Sequence, residues 1–147
     1  MNNLRIYFKK LSKKAQAPTY SKTGDACCDL YVIEDYTIKP GERCLARTGF
    51  AMEIPEGFEA QIRPRSGLAW KKGLSLVNTP ATIDAGYRGE IKIPLINLGD
   101  KDIVILEGDR VAQMKFASVY VGYFLDVGDN ELNPSVRGTG GFGHSGS

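Results

Sequence analysis

The chain is poor in the residues that build disulfide frameworks and metal centres. Its 147 residues include three cysteines, Cys27, Cys28 and Cys44, and one histidine, His144. An odd number of cysteines, two of them adjacent, does not form a disulfide framework. Because the single histidine stands in the C-terminal stretch, the cysteines do not make a zinc site either. This cysteine usage favours a reducing compartment.

Long apolar runs are also lacking. No stretch approaches the ~20 apolar residues of a membrane span. Residues 1–15, MNNLRIYFKKLSKKA, carry charges where a signal peptide has its apolar segment. We therefore expect a soluble cytoplasmic protein with no membrane association. A hydrophobic content of 42% with 24% charged residues excludes disorder along the whole length, and the length fits a single domain.

Acidic residues are missing from the N-terminus. The first 22 residues contain six basic residues and no acid, whereas the remainder contains 13 basic and 17 acidic residues. Because the body is mildly acidic, we expect no stable binding of nucleic acid. The basic segment is either an electrostatic patch or the solvated face of a strand.

Helical periodicity is nearly absent, and short strand-like runs take its place. Residues 4–8 alternate apolar and polar side chains. Further strand candidates are 29–33, 36–38, 43–48, 58–62, 74–77, 90–97, 103–106 and 111–119. Turn signals separate them at 39–41, 55–57, 98–100 and 107–109. Many short strands at this spacing predict an all-β sandwich, jelly roll or barrel.

One short helix and a distinct C-terminal segment complete the organisation. Ser66 can cap a helix that contains Trp70 and that Gly73 can end. Residues 128–147 are rich in glycine and predict a flexible tail. Arg137 and Phe142 stand alone among small residues there, and this combination suits a lid that grips an anion and stacks on a ring.

Two segments combine residues suited to phosphate chemistry. Residues 64–67, Pro-Arg-Ser-Gly, bring a guanidinium, a hydroxyl and free backbone N–H groups together, which suits a phosphate cradle. The alternative is an ordinary turn with Ser66 as the helix cap. In residues 78–90, Asp84 precedes a tight turn of a hairpin and could activate a water, with Tyr87 packing against a sugar. Alternatively, Asp84 is a turn residue and Tyr87 a core-facing strand residue.

Two further segments offer a polar contact and a carboxylate. Asp109 and Arg110, at the start of a strand, predict a structural ion pair, while Gln113 is expected to be free to donate to a ligand. Asp29 stands in an apolar stretch and is therefore either paired or an outer-sphere group for a metal. Together the four segments supply cations and N–H groups for phosphates, a carboxylate for water and an acid for Mg²⁺.

In order and spacing these four segments and the C-terminal segment resemble the five motifs of the homotrimeric dUTPases, which hydrolyse dUTP to dUMP and pyrophosphate. The resemblance runs from Asp25 to the C-terminus. It departs from the family at Cys27 and Cys28, which stand where the family usually has glycine and an aromatic residue. The resemblance implies that Asp29 holds Mg²⁺ through water. Its implied phosphate contacts are Arg65, Ser66, Gly67, Gln113 and Arg137.

The resemblance also implies roles at the base and the sugar. Asp84 matches the residue that orients the attacking water, and Tyr87 matches the ring under the deoxyribose. The implied uracil-reading groups are Asn78, the main chain of Thr82 and Ile83, and Lys92 on the returning strand. The implied tail contacts are Phe142 stacking over uracil, Gly143, and Ser145 with a hydroxyl for the γ-phosphate.

The implied architecture is a distorted jelly roll, or β-clip barrel, with one short helix. Residues 1–127 would form this domain, and residues 128–147 a flexible arm that closes over the site. Each site would be shared by three subunits of a homotrimer, the third contributing the tail. Twenty extended residues reach roughly 65 Å, which is enough to cross to a neighbouring subunit. The implied role is to limit uracil incorporation into DNA and to supply dUMP for thymidylate synthesis.

Three rival functions are weaker. A dCTP deaminase of the same fold needs a glutamate where Pro94 stands, and proline cannot act as a general base. A binding module without catalysis would not need Asp84, Arg65, Arg137 and Phe142 together. A sheet that binds nucleic acid needs exposed aromatics among basic residues, which the acidic body does not offer.

Overall fold

The computed structural model describes residues 3–143, which fold into eleven strands and one short helix. The strands are β1 (Tyr7–Lys10), β2 (Cys28–Tyr31), β3 (Tyr36–Ile38), β4 (Arg43–Arg47), β5 (Phe50–Glu53), β6 (Phe58–Pro64), β7 (Leu74–Leu76), β8 (Ala81–Ile83), β9 (Lys92–Asn97), β10 (Ile103–Ile105) and β11 (Arg110–Ser118). Helix α1 (Ser66–Lys72) stands between β6 and β7. The all-β prediction with one short helix is confirmed.

The strands form four antiparallel sheets. The largest has the order β2-β11-β6-β8, the next β4-β9-β7, and two pairs join β1 to β5 and β3 to β10. Alternation along β9 buries Ile93, Leu95 and Asn97 while the residues between them face outward, as a half-buried strand requires. The buried faces of all four sheets share one apolar core.

All nine predicted strands are present, with ends shifted by up to three residues and β3 as expected. Two strands, β5 and β8, were not predicted. The expected hairpin around Asp84 is wrong, because β8 pairs with β6 while β9 pairs with β4 and β7. The segment between β8 and β9 therefore connects two different sheets rather than two paired strands.

Helix α1 ends as predicted but does not begin as predicted. Gly73 adopts the left-handed conformation, with φ of 73°, and its N–H donates to the carbonyl of Ala69. The cap position is held by Arg65, not Ser66, and no side chain caps the helix there. The prediction that Ser66 caps the helix is therefore wrong, since Ser66 is its first residue.

The basic residues near the N-terminus lie at the surface. Lys9 and Lys10 lie exposed on β1, as on a solvated strand face, and Lys14 pairs with Glu107 at 2.6 Å.

After β11, residues 119–143 contain no strand or helix and are largely exposed. No helix within residues 3–143 is long and apolar enough to cross a membrane.

The thiol of Cys28 is expected to resist alkylation in the folded protein. It is buried in β2 and donates to the carbonyl of Met114 at 3.3 Å, and burial raises its pKa to about 11. Because the thiolate is the nucleophile, only about 10⁻³ of this thiol is reactive at pH 8. Mass spectrometry after iodoacetamide treatment should find Cys28 unmodified when native and modified when the chain is unfolded in urea. Equal labelling rates in both states would contradict this prediction.

Candidate functional site

Three segments that are far apart in the sequence line one cleft. The cleft has a volume of about 530 Å³. Asp29 comes from β2, Gln113 from β11, and Arg65, Ser66 and Gly67 from the end of β6 and the start of α1. The strand register explains this, because Asp29 lies opposite Gln113 and Pro64 opposite Ala112. The predicted phosphate contacts of the sheet and the predicted Mg²⁺ residue are thus brought together.

Asp29 is an almost fully buried carboxylate that is paired within the protein. Its Oδ1 forms an ion pair with Arg65 Nε at 3.0 Å, and its Oδ2 accepts a hydrogen bond from Arg110 Nη1 at 3.0 Å. The Ser21 hydroxyl donates to Oδ2 at 3.3 Å. The sequence predicted that Asp29 is either paired or an outer-sphere group for a metal, and in the structure it is paired with two arginines. The pair of arginines compensates the cost of burying this charge and fixes both guanidinium groups at the cleft.

The expected ion pair between Asp109 and Arg110 is wrong. Asp109 Oδ2 instead accepts from the backbone N–H of Leu106 at 2.9 Å and closes the turn before β11. Arg110 reaches across the sheet to Asp29, and its carbonyl accepts from Arg65 Nη1 at 3.0 Å. Adjacent side chains on a strand point to opposite faces, so a cross-strand partner is favoured over the sequence neighbour.

Gln113 and Gly67 both line the cleft but differ in the contacts that they make within the protein. Gln113 Nε2 donates one of its two N–H groups to the carbonyl of Pro64 at 2.8 Å, and the side chain lines the cleft, so its contact with a ligand stays a prediction. A Cβ at Gly67 would meet no atom within 4 Å, which leaves space in the cleft for a ligand to approach the backbone. Ser66 is exposed beside it.

The remaining predicted residues of the core domain lie at a distance from this cleft. None of Asn78, Thr82, Ile83, Asp84, Tyr87 and Lys92 lines it. Strand β8 runs antiparallel to β6 with Ile83 opposite Ala60, so Asp84 leaves the sheet at the end opposite to Arg65. The five residue steps from Ala60 to Arg65 span about 17 Å of extended chain. A carboxylate that activates water must lie within one water of the reacting group, so Asp84 and Arg65 of one chain do not meet at one phosphate.

Asp84 and Tyr87 form a β-turn that is exposed at the surface. The Tyr87 N–H donates to the Asp84 carbonyl at 3.0 Å, and the Tyr87 hydroxyl donates to the Glu90 carbonyl at 2.9 Å. Tyr87 belongs to no strand and 45% of its surface is exposed. The alternative interpretation of Tyr87 as a core-facing strand residue is therefore wrong.

The predicted tail residues also lie away from the cleft in this chain. Arg137 Nε donates to the Gly140 carbonyl at 2.8 Å, and Phe142 is fully exposed with a φ of 51°. Gly143 is exposed beside it. Ser145, the other predicted tail contact, lies outside the described residues.

Two basic residues of the cleft were missed by the sequence analysis. Lys71 and Lys72 line the cleft from the last turn of α1, one turn beyond Gly67 and Leu68. The signal was available, because residues four apart on a helix share a face. These lysines add positive charge to the cleft and make it better suited to a polyphosphate.

The donor set of the cleft fits a metal ion only when the ligand supplies most of the oxygens. Within residues 3–143 no group of three histidine, cysteine, aspartate or glutamate side chains could hold a metal. The carboxylate of Asp29 is engaged by two arginines. Mg²⁺ keeps several waters and is commonly bound through substrate phosphates with one or two carboxylates. Asp29 therefore fits an outer position, facing a metal-bound water.

The fold and the cleft define a class: an all-β protein with a cationic cleft suited to a phosphate chain. The dUTPase family model matches residues 13–146. A deoxyuridine 5'-triphosphate nucleotidohydrolase of Hydrogenobaculum sp. is 47% identical over 144 residues, covering 97% of this chain and 99% of the relative. The enzyme of the same name from Helicobacter hepaticus is 49% identical over 146 residues, covering 99% and 91%.

A solved structure supports the same assignment. The dUTPase of Staphylococcus bacteriophage 80alpha with dUPNHPP has a TM-score of 0.90 and 26% identity, covering 97% of this chain and 99% of that one. The chain belongs to the dUTPase family. It is an enzyme that hydrolyses dUTP, and its all-β fold is jelly-roll-like, as the resemblance of the motifs implied.

Proposed function

We propose that this enzyme converts dUTP to dUMP and pyrophosphate by attack of a water on the α-phosphate, with Asp84 as the general base. The water oxygen forms a bond to the α-phosphorus while its proton passes to the Asp84 carboxylate. The bond from the α-phosphorus to the bridging oxygen breaks, and pyrophosphate leaves with the electron pair. This reaction limits uracil incorporation into DNA and supplies dUMP for thymidylate synthesis. The convergence of Asp29, Arg65 and Gln113 on one cationic cleft carries the proposal.

The cleft holds the phosphates in this proposal. Arg65, Ser66, Gly67 and Gln113 contact them, and the cations of the cleft stabilise charge that develops during transfer. Asp29 would hold a water bound to Mg²⁺, and the two arginines fix the orientation of its carboxylate. When bound, Mg²⁺ supplies charge neutralisation on the phosphate oxygens.

The second group of residues binds the nucleoside. Tyr87 lies under the deoxyribose, where its ring leaves no room for a ribose 2′-hydroxyl. The uracil edge is read by Asn78, the main chain of Thr82 and Ile83, and Lys92. A pocket that hydrogen-bonds this edge penalises cytosine by about 1–3 kcal/mol for each mispaired group. The residues proposed to contact the base and the sugar thus lie in one short segment of the chain, residues 78–92, together with the catalytic carboxylate of Asp84.

The two groups come together between subunits of a homotrimer. The separation of about 17 Å along β6 within one chain supports a site in which the cleft of one subunit meets the Asp84 turn of its neighbour. Residues 119–143 support association, since Tyr120, Tyr123 and Phe124 are each more than nine-tenths exposed on one chain. Such apolar side chains mark a surface that is buried against a partner.

The C-terminal arm completes the site in the same assembly. Arg137 contacts the γ-phosphate, Phe142 stacks over uracil with Gly143 beside it, and Ser145 supplies a further hydroxyl. The nineteen residues that follow Ser118, up to Arg137, reach about 60 Å when extended, so a third subunit can supply the arm. Closure of the arm excludes water and assembles the catalytic groups.

A substrate panel in oxygen-18 water tests the reaction. Purified protein with Mg²⁺ is given dUTP, UTP, dCTP or dTTP, and pyrophosphate is measured. We expect pyrophosphate from dUTP alone, with the label in dUMP, because attack occurs at the α-phosphate. Label in pyrophosphate would contradict attack at that phosphorus, and equal turnover of UTP would contradict the role of Tyr87.

A further inference from the structure

The ring of Tyr87 lies directly over Gly89, which has no side chain. A Cβ at residue 89 would collide with the Tyr87 hydroxyl and lie 2.7 Å from Cζ and 3.1 Å from Cε2. The three atoms nearest to this Cβ all belong to Tyr87. The backbone of Gly89 is not in the left-handed region. The glycine is therefore required for space beneath the ring and not for its backbone conformation.

The hydroxyl of Tyr87 fixes the ring in this position. It donates to the main-chain carbonyl of Glu90 at 2.9 Å, so the side chain folds back across Gly89 onto its own chain. The Tyr87 N–H is bonded to the Asp84 carbonyl at the other end of the turn. Two hydrogen bonds and the contact with Gly89 thus hold the ring at one depth.

The residue whose carbonyl receives the hydroxyl, Glu90, is anchored through its side chain. The Glu90 carboxylate accepts from Arg47 Nε at 3.1 and 3.3 Å and from the Gly49 N–H at 3.0 Å, and its side chain is only 12% exposed. At the next residue, the Thr48 hydroxyl donates to the Ile91 carbonyl at 2.6 Å. These bonds fasten the end of the turn to the segment between β4 and β5, so the ring rests on a rigid support.

We propose that Gly89 is a positioning residue that sets the discrimination between deoxyribose and ribose by fixing the depth of the Tyr87 ring. This inference rests on the proposed function, which puts that ring under the sugar. A ring held at one depth excludes a 2′-hydroxyl sharply. A ring displaced from Gly89 loses its bond to Glu90 and becomes a mobile wall that excludes the hydroxyl less well.

The ratio of kcat/KM for dUTP to that for UTP tests the proposal. Gly89→Ala should lower this ratio about tenfold or more, since discrimination against one added hydroxyl depends on the fit of the pocket. Gly86→Ala is the matched control, because a Cβ at Gly86 in the same turn meets no atom within 4 Å and its φ is not left-handed. This control should keep the wild-type ratio. A merely structural effect of Gly89→Ala would lower turnover of both nucleotides equally and leave the ratio unchanged, which would overturn the proposal.

Repeating the substitution without the ring separates this inference from the proposed function. In a Tyr87→Ala background, Gly89→Ala should have no further effect on the ratio, because the two substitutions act through one contact. If Tyr87→Ala alone leaves the ratio at the wild-type value, the role of Tyr87 at the sugar is wrong. If Tyr87→Ala lowers the ratio and Gly89→Ala does not, only the role of Gly89 is wrong. Thermal melting of each variant verifies folding, which Gly89→Ala should preserve because its Cβ displaces only the end of one side chain.

Discussion

Replacement of Asp84 by asparagine is expected to lower kcat for dUTP by about 10²–10⁴-fold while KM changes little. The amide has the shape of the carboxylate, but it cannot accept a proton from the attacking water. Because Asp84 is exposed in a turn and is not part of the core, the variant should fold. Single-turnover measurements with saturating dUTP test this effect on the chemical step.

Asp102→Asn is the matched control for this substitution. Asp102 is also exposed, and its side chain makes no hydrogen bond or ion pair within residues 3–143. Its kcat should equal that of the wild type. Unimpaired turnover by Asp84→Asn would remove Asp84 as the general base and leave the cleft without an assigned carboxylate for water.

Deletion of residues 137–147 is expected to lower kcat/KM for dUTP by about 10²–10³-fold, as loss of a group that stabilises transition-state charge does. The deletion removes Arg137 and Phe142, the cation and ring of the arm. Among residues 137–143, the hydrogen bonds of Arg137 and Gly140 stay within the segment or its immediate neighbours, so the fold should remain. Circular dichroism and the melting temperature should match those of the full chain.

Two point variants separate the contributions within the arm. Arg137→Gln should lower binding of the triphosphate more than binding of dUMP, because only the triphosphate offers the γ-phosphate. Phe142→Ala should weaken both nucleotides, because the base is common to them. A truncated enzyme with wild-type kcat/KM would show that the arm is not a lid.

Features that depend on a residue's own backbone could be predicted from the sequence, whereas contacts between residues distant in sequence could not. The end of α1 could be predicted, because a glycine at the C-terminus of a helix acts through its own backbone. The start could not, because the side chain of Arg65 at the cap position binds Asp29 and the Arg110 carbonyl, both distant in sequence. For the same reason the sequence indicated Asp109 as the partner of Arg110, whereas the structure pairs Arg110 with the distant Asp29. Spacing reveals the faces of a strand but not which strand lies beside it.

The missed strands and the wrong hairpin have a related cause. Strand β8 is short and directly follows the turn residues 78–80, and β5 is separated from β4 by Gly49 in a left-handed conformation. The turn residues around Asp84 are typical of a hairpin, but the strands on either side pair with other strands. Turn chemistry predicts where the chain reverses and leaves open what it pairs with.

We expect one active site to combine the cleft of one subunit with the Asp84 turn of another. Two impaired variants, Arg65→Gln and Asp84→Asn, are unfolded together in equal amounts, refolded and assayed for pyrophosphate release from dUTP. The double variant Arg65→Gln/Asp84→Asn, refolded in the same way, sets the background. If the groups come from neighbouring subunits, about a quarter of all sites in the randomly mixed trimers carry both intact residues, and activity returns to about a quarter of the wild-type value. Activity no greater than that of the separately refolded variants would contradict a shared site.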